Sequence, residues 1–311
     1  MSPTPPNIAA ALDPGVAIRA LEDALLTDID PETDSPRLFS PLTGGEFLLM
    51  PSASARFAGV KVLTIPSGPA AAGHPKIQGV YVLFDARTLA PVAVLDGAEL
   101  TLSRTSAMTA LAVKHMLAAA PGDRVPAALR LVIFGAGPQA RRHIAALRSI
   151  AELSQVTVVG RSPGPVDDLV EYCRASGLAA SAGTTADVAD ADLVVCVTSA
   201  TEPLFEGRLV APHAVVAAVG SHGLDARELD PALVRRADIV VEGRASALRE
   251  SGDLIPARSV EEWAEHQLTN VAELIRGTFQ RRPGHPAVYT GVGMAWQDLV
   301  VAGAAHAASG A

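Results

Sequence analysis

The sequence predicts an α/β fold of two domains, in which a domain of alternating strands and helices interrupts an α+β domain built from both ends of the chain. A length of 311 residues is typical of two domains rather than of a single core. Residues 46–95 contain short strands separated by Gly, Pro and Ser turns, which indicates mostly antiparallel pairing. Residues 131–241 alternate apolar strands with helical segments, as in a parallel sheet.

The first domain begins with a helix and continues as a set of short strands. Apolar residues recur at helical spacing from Val16 to Leu26, and Asp13 followed by Pro14 is a suitable N-cap and first-turn pair. A hairpin at 85–90 joins two strands, and a long helix rich in Ala and Leu occupies about 100–120. The predicted strands are Glu46 to Met50, Gly59 to Ile65, Gln78 to Phe84 and Pro91 to Leu95.

The second domain is predicted to start at Pro121-Gly122-Asp123. Its strands are continuous apolar runs, as parallel strands covered on both faces require. After about Pro283 a short strand and an apolar last helix, Met294 to His306, are expected to return to the first domain. The predicted domains are therefore 1–120 with 284–311, and 121–283. The later strands are Leu131 to Phe134, Val156 to Val159, Leu193 to Thr198, Val215 to Val219, Ile239 to Val241 and Ala287 to Thr290, with helices at 139–150 and 166–176.

Composition excludes several classes of function. A hydrophobic fraction of 49% with 19% charged residues indicates a globular protein with a large core. The formal net charge of −8 and the lack of Lys/Arg clusters argue against nucleic-acid and anionic-membrane partners. The sequence contains neither a membrane-spanning apolar run nor a signal-peptide pattern, so we expect a cytoplasmic protein. Cys173 and Cys196 lie in apolar patterns and are expected to be core thiols.

A glycine-rich turn after the strand Leu131 to Phe134 predicts a dinucleotide site. Gly135 permits the tight turn, and Gly137 allows backbone to approach a pyrophosphate at the N-terminus of the next helix. Ala140 replaces the third glycine of the usual pattern, where a methyl group still fits between helix and strand. A plain strand-to-helix turn is the alternative, but the strand and helix order favours a Rossmann-type domain. The expected cofactor-binding residues of this turn are Gly135, Ala136, Gly137, Pro138, Gln139 and Ala140.

The end of the second strand of this domain indicates which dinucleotide binds. An acid at this position accepts hydrogen bonds from the adenosine ribose of NAD. Here Val159 is followed by Gly160, Arg161 and Ser162, without an acid. Arg161 can pair with a 2′-phosphate and Ser162 can add a hydroxyl, so we expect NADP(H) in preference to NAD(H); the alternative for Arg161 is a solvated turn residue. The residues expected to line the nicotinamide half are Thr198, Ser199, Val219 and Ser221.

Short motifs follow one another along most of the chain. They are Leu49-Met50-Pro51, Gly59-Val60-Lys61-Val62, Gln78-Gly79-Val80, Leu83-Phe84-Asp85, Leu95-Asp96-Gly97, Leu102 to Ala107, Gly135 to Ala140, Ala218 to Ser221, Glu250-Ser251-Gly252-Asp253 and Gly293-Met294-Ala295. With these motifs the chain resembles the ornithine cyclodeaminase/mu-crystallin family over nearly its whole length. The resemblance implies a first domain that binds substrate and forms a homodimer through its strands.

The resemblance also implies a small amino-acid or imino-acid substrate and three basic site residues, which correspond to Arg37, Lys61 and Arg104. A guanidinium presents a planar fork to a carboxylate, so Arg104 and Arg37 are plausible carboxylate ligands. Lys61 lies between apolar neighbours on a predicted strand, where partial burial would lower its pKa toward one useful for proton transfer. The alternative for Arg37 is a surface charge in a loop.

The chain departs from the resemblance at His222. Cyclodeaminases of the family have an aspartate at the matching position, two residues past a glycine, and this acid is linked to deamination and cyclisation. His222 could instead contact substrate or lie in a solvated loop. With Asp225 and Glu228 it forms a series that suggests a metal site, but no second His or Cys cluster joins it, so we expect no metal.

These features together predict an NADP(H)-dependent reductase of a small imino acid, with Lys61, Arg104, Arg37 and His222 as the candidate catalytic residues. The substrate would be a cyclic ketimine such as pyrroline-2-carboxylate or piperideine-2-carboxylate, reduced to the amino acid. The alternatives are an ornithine or lysine cyclodeaminase, an alanine-type amino-acid dehydrogenase, and a mu-crystallin-like protein that binds NADPH and a small carboxylate ligand without turnover.

Overall fold

The structure, a computed structural model, describes residues 12–68, 78–120, 126–220, 223–266 and 268–309. The chain divides into two compact units. The first unit consists of Met1–Met108 and Met294–Ala311, and the second of Thr109–Gly293. The first therefore contains both ends of the chain.

The helices and strands are numbered separately in chain order. The helices are α1 (Pro14–Thr27), α2 (Gly97–Ala118), α3 (Pro138–Arg148), α4 (Pro163–Ala175), α5 (Pro231–Arg236), α6 (Arg244–Glu250), α7 (Val260–Glu265), α8 (Val271–Ile275) and α9 (Ala295–Ala308). The strands are β1 (Leu38–Leu42), β2 (Gly45–Ala53), β3 (Phe57–Pro66), β4 (Gln78–Asp85), β5 (Pro91–Asp96), β6 (Ala128–Phe134), β7 (Glu152–Val159), β8 (Ala180–Ala182), β9 (Leu193–Cys196), β10 (Val215–Ala218), β11 (Asp238–Val241), β12 (Thr269–Asn270) and β13 (Ala287–Thr290).

The first unit contains an antiparallel sheet with the order β1-β2-β3-β4-β5, so each strand pairs with the next one along the chain. Helix α1 begins at Pro14, and the Asp13 carboxylate caps it by accepting a hydrogen bond from the backbone N–H of Val16. Helix α9 packs against α1 and against β2, β3 and β4. The predicted antiparallel strands and the return of the last helix are confirmed.

The second unit contains an eight-stranded sheet with the order β12-β11-β13-β10-β9-β6-β7-β8, whose neighbouring strands are parallel. From β6 the chain builds outward through β7 and β8, and it then crosses to the other side of β6 to form β9. All residues of β9, β10, β11 and β13 are buried, as expected for parallel strands covered on both faces. The α/β fold class predicted from the sequence is confirmed.

Strand β13 corrects the predicted domain organisation. Residues 284–311 were predicted to belong to the first domain, but β13 lies between β10 and β11 in the parallel sheet. The reason is that Ala287–Thr290 is a fully buried strand, and its backbone groups need hydrogen-bond partners along both edges. The change of unit comes at Met294, not at Pro283.

The other boundary also differs from the predicted one. The units divide between Met108 and Thr109, inside helix α2. The predicted boundary, Pro121-Gly122-Asp123, comes after the end of this helix. Pro and Gly mark where a helix stops, not where the packing changes from one unit to the other. These three residues lie outside those described. The sequence analysis missed β1, whose side chains are all exposed, and the very short β8 and β12.

Two smaller expectations concern the cysteines and the membrane. Cys173 in α4 and Cys196 in β9 are both buried and free, as predicted, and burial raises the pKa of each thiol. No helix within the described residues is long and apolar enough to cross a bilayer.

Candidate active site

The glycine turn predicted from the sequence joins β6 to α3. Gly135 has a φ of 105°, in the left-handed region that favours glycine, and a Cβ there would lie 2.8 Å from the carbonyl oxygen of Val197. Gly137 is the N-cap of α3 and has no side chain to cap the helix, and a Cβ placed on it would meet no heavy atom within 4 Å. An uncapped helix N-terminus beside open space fits a pyrophosphate. The side chain of Ala140 is fully buried, as its replacement of the third glycine requires.

A groove of about 730 Å³ runs along this edge of the second unit. It is lined by residues that follow β6, β7 and β9, the carboxyl ends of three adjacent parallel strands, where nucleotides bind in open α/β sheets. The predicted cofactor residues that line it are Gly135, Ala136, Gly137, Arg161, Ser162, Thr198 and Ser199. Arg161 and Ser162 are exposed. The residues present therefore fit a dinucleotide.

Some predicted site residues are not among those that line the groove. Pro138, Gln139 and Ala140 form the first turn of α3, and Val219 follows β10 and is half-buried. Ser221 and His222 lie outside the described residues. Within the described ranges, no group of three His, Cys, Asp or Glu side chains could hold a metal ion.

Lys61 is buried in the first unit with a carboxylate beside it. It lies on β3 with 1% of its surface exposed, and its Nζ donates hydrogen bonds to Asp298 Oδ2 at 2.7 Å and to Thr101 Oγ1 at 3.3 Å. Burial lowers the pKa of Lys61 to about 8; Asp298 opposes this shift, and the charges of Arg104 and Arg37 add to it. The predicted lowering of this pKa is confirmed.

Arg104 shares the same carboxylate. It lies on α2, is 7% exposed, and donates from Nη1 to Gln297 Oε1 at 2.9 Å, while its Nε is 3.4 Å from Asp298 Oδ1. Asp298 is fully buried on α9 and thus stands between two cations. Arg37 is half-buried, and its charge adds to the lowering of the Lys61 pKa. Of the three basic residues predicted from the sequence, the structure brings Lys61 and Arg104 together around Asp298.

The acids Asp34 and Asp298 and the amide of Gln297 in this cluster were not predicted from the sequence. Asp34 accepts a hydrogen bond from the backbone N–H of Ala295 at 2.8 Å, at the start of α9. Burial raises the pKa of Asp34 to about 6, although hydrogen bonds from the backbone of Ala295 and Trp296 lower it. Gln297 and Asp298 could have been found as polar residues that interrupt an otherwise apolar helix, because such residues are buried only with partners.

The charges of this cluster favour an anionic ligand. Lys61 and Arg104 are two buried cations that share the carboxylate of Asp298. One further carboxylate brought beside them would balance the second positive charge. A lysine whose pKa lies close to neutral pH can transfer a proton, and together with a guanidinium it can hold a substrate carboxylate.

The chain is similar to known proteins over most of its length. The model of the ornithine cyclodeaminase/mu-crystallin family matches residues 16–308. Delta(1)-pyrroline-2-carboxylate reductase 2 of Burkholderia ambifaria is 34% identical over 302 residues, which cover 94% of this chain and 90% of that protein. Ketimine reductase mu-crystallin of Mus musculus is 34% identical over 245 residues, 78% of this chain and 73% of that protein.

A solved structure shares the fold. The Delta(1)-pyrroline-2-carboxylate reductase of Thermococcus litoralis, in complex with NADH and L-proline, superposes with a TM-score of 0.82 at 24% identity, covering 95% of this chain and 93% of that one. The two-unit architecture described above is therefore an architecture found in a known protein.

The buried ion pair gives a prediction about stability. Asp298→Leu leaves two buried cations without their carboxylate, so it should lower the free energy of unfolding by about 3–5 kcal/mol; Lys61→Met leaves Asp298 beside Arg104 and should lower it by less, about 2 kcal/mol. The double variant should lose less than the sum of the two, because it removes both charges. Denaturant unfolding at neutral pH measures all three. Arg130→Met is the control: its side chain is 49% exposed in a pair with Asp192, so it should cost less than about 1 kcal/mol. Equal losses for Lys61→Met and Arg130→Met would contradict the prediction.

Proposed function

The chain belongs to the ornithine cyclodeaminase/mu-crystallin family, and we propose that it is a nicotinamide-dependent reductase that converts a small imino acid to the amino acid. The observation that carries this proposal is the buried Lys61, which shares Asp298 with Arg104. The relatives named as pyrroline-2-carboxylate and ketimine reductases support this reaction class. Cyclic ketimines such as pyrroline-2-carboxylate and piperideine-2-carboxylate are the substrates that we propose.

The second unit binds the cofactor in this proposal. The turn from Gly135 to Gly137 and the N-terminus of α3 hold the pyrophosphate. Arg161 and Ser162, exposed in the same groove, hold a 2′-phosphate, which makes NADP(H) the preferred cofactor. When bound, NADPH supplies a hydride to the carbon of the C=N bond.

The first unit binds the substrate. Arg104 and Arg37 hold its carboxylate, and the ammonium of Lys61 gives a proton to the nitrogen, so that the C=N bond becomes CH–NH. Lys61 then regains a proton from solvent. Asp298 keeps the lysine oriented through the 2.7 Å hydrogen bond and raises its pKa enough for the charged form to be present at neutral pH.

The test is turnover of NADPH with Δ1-pyrroline-2-carboxylate and Δ1-piperideine-2-carboxylate, followed by the loss of nicotinamide absorbance. We expect turnover, and Lys61→Met should reduce kcat/KM by about 100-fold or more, because it removes the proton donor. The rate should fall as the pH rises through about 8, because the ammonium is the active form and is present below that pKa. Lys61→Arg keeps the positive charge, but its guanidinium gives up no proton near neutral pH, so its rate should be as low as that of Lys61→Met and should lack this fall. Release of ammonia from ornithine with catalytic NAD, and no imine reduction, would contradict the proposal.

The cofactor preference has its own test. Arg161→Asp should raise the Kd for NADPH by about tenfold or more, because a carboxylate replaces the partner of the 2′-phosphate, and should leave the Kd for NADH within about threefold. Nicotinamide fluorescence measures both values. Arg208→Asp, at a side chain that is 75% exposed and outside the groove lining, is the control and should change neither. Equal effects of Arg161→Asp on the two cofactors would assign Arg161 to the solvated turn.

We also propose that the first unit forms a homodimer through its strands. Strand β1 carries three large apolar side chains that are exposed, Leu38 at 51%, Phe39 at 57% and Leu42 at 41%. Strand β5, at the opposite edge of the sheet, carries exposed Val92 and Val94. Exposed apolar side chains grouped on one edge strand are a feature of protein–protein interfaces, and those of β1 support the proposal.

The dimer predicts the effect of a charge on β1. Phe39→Glu should shift the protein from dimer to monomer in sedimentation velocity, because an unpaired carboxylate would be buried in the interface. Val260→Glu, at a residue that is 81% exposed on α7 in the second unit, is the matched control and should leave the dimer intact. A monomeric parent protein, or a Phe39→Glu variant that stays dimeric, would refute this interface.

A further inference from the structure

A buried carboxylate joins two loops at the edge of the parallel sheet. Glu228 has no exposed surface, and its Oε1 accepts hydrogen bonds from the backbone N–H of Thr198 at 2.6 Å and from Thr198 Oγ1 at 2.7 Å. Its Oε2 accepts from the backbone N–H of Gly220 at 2.8 Å. Thr198 follows β9 and Gly220 follows β10, so one side chain connects the carboxyl ends of two adjacent strands.

The two loops are in close contact where Glu228 joins them. A Cβ placed on Gly220 would lie 2.1 Å from the carbonyl oxygen of Thr198 and 2.6 Å from Glu228 Oε1. Only glycine therefore permits this approach. The carboxylate and the glycine together hold the two loops at a fixed separation.

A second acid orients Glu228. Asp253 is 1% exposed, and its Oδ1 accepts from the backbone N–H groups of Glu228 at 2.7 Å and of Leu229 at 2.8 Å. Gly252 allows this approach, because a Cβ there would lie 1.9 Å from the carbonyl oxygen of Ala226. The motif Glu250-Ser251-Gly252-Asp253, which has no part in the proposed chemistry, thus supports the segment that carries Glu228.

Burial of this carboxylate opposes its ionised form. Burial and the charge of Asp253 raise the pKa of Glu228 to about 7, and the hydrogen bonds from Thr198 and Gly220 lower it. A neutral residue of the same volume would avoid the free-energy cost of burying a charge. The ionised oxygens instead accept hydrogen bonds from three donors at once, so the carboxylate contributes more to the position of the two loops than to the stability of the fold.

The strand order places these loops on the nicotinamide side of the groove. Arg161 follows β7, on one side of β6, whereas β9 and β10 lie on the other side. A dinucleotide lies across the point where the strand order reverses, with its two halves on opposite sides. Thr198 lines the groove on the side away from Arg161.

We propose that Glu228 is a positioning residue for the nicotinamide half of the cofactor: its carboxylate fixes the loops at Thr198 and Gly220, and Asp253 orients it. This inference rests on the proposed nicotinamide-dependent function. It assigns no contact between Glu228 and the cofactor, because the side chain acts through the two loops.

The test compares NADPH with 2′-phospho-ADP-ribose, a fragment that lacks nicotinamide, in equilibrium binding to Glu228→Gln. Glutamine keeps one acceptor oxygen and turns an N–H group toward a backbone N–H, so one loop loses its partner. The Kd for NADPH should rise by about tenfold or more, whereas the Kd for the fragment should stay within about twofold. A merely structural role would weaken both ligands equally.

Glu242→Gln is the matched control. Glu242 is 3% exposed and accepts from the backbone N–H groups of Val292 and Gly293 and from the hydroxyl of Tyr289, but it does not line the groove. Its variant should alter the two Kd values by the same factor. If Glu228→Gln does not fold, Glu228→Asp keeps the carboxylate but is one methylene shorter, so it cannot reach both loops and should give the same selective loss of NADPH binding.

The outcomes separate the two proposals. If the parent protein binds no NADPH, the proposed function fails and this inference fails with it. If the parent binds NADPH and Glu228→Gln changes both ligands equally, or neither, only this inference is overturned. Both results come from binding and do not depend on imine turnover.

Discussion

Asp298 carries the negative charge that allows Lys61 and Arg104 to be buried in the first unit. An isolated ammonium moved out of water costs several kcal/mol, and a paired one is tolerated only with well-placed hydrogen bonds. Here the pair is 2.7 Å long, and the residue beside Asp298 in the chain, Gln297, accepts from Arg104. Helix α9 therefore contributes the counter-charges of the site as well as apolar packing. The pKa of Lys61, about 8, reflects burial and the charges of Arg104 and Arg37, which lower it, against Asp298, which raises it.

Acids have a different task in the second unit. Parallel strands end in loops whose backbone N–H groups need acceptors when they are buried. Glu228, Glu242 and Asp253 each accept from two backbone N–H groups of such loops. At the edge of the sheet that contains the groove, the loop N–H groups thus donate to buried carboxylates of the protein rather than to water.

Local rules explain how much could be predicted from the sequence. The turn at Gly135, the N-cap at Asp13 and the buried parallel strands depend on residues that are close in the chain, and they appeared as expected. Lys61 and Arg104 were identified through the family resemblance, and their position within apolar or small-residue segments supported that identification. Asp298 and Glu228 were not assigned these partners, since each acts on residues that are distant in sequence. Strand β13 was misplaced for the same reason: its neighbours in the sheet are set by packing, not by chain order.

The pairing of Lys61 with Asp298 also bears on how the chain folds during synthesis. The two residues are 237 positions apart, and all strands of the parallel sheet lie between them in sequence. A ribosome therefore completes the second unit before the first unit has its last helix. During that interval the sheet of the first unit lacks α9, and Lys61 lacks its carboxylate. Contacts of such long sequence separation slow folding and prolong the exposure of apolar strands. The antiparallel sheet of the first unit thus stays without its covering helix until the end of synthesis.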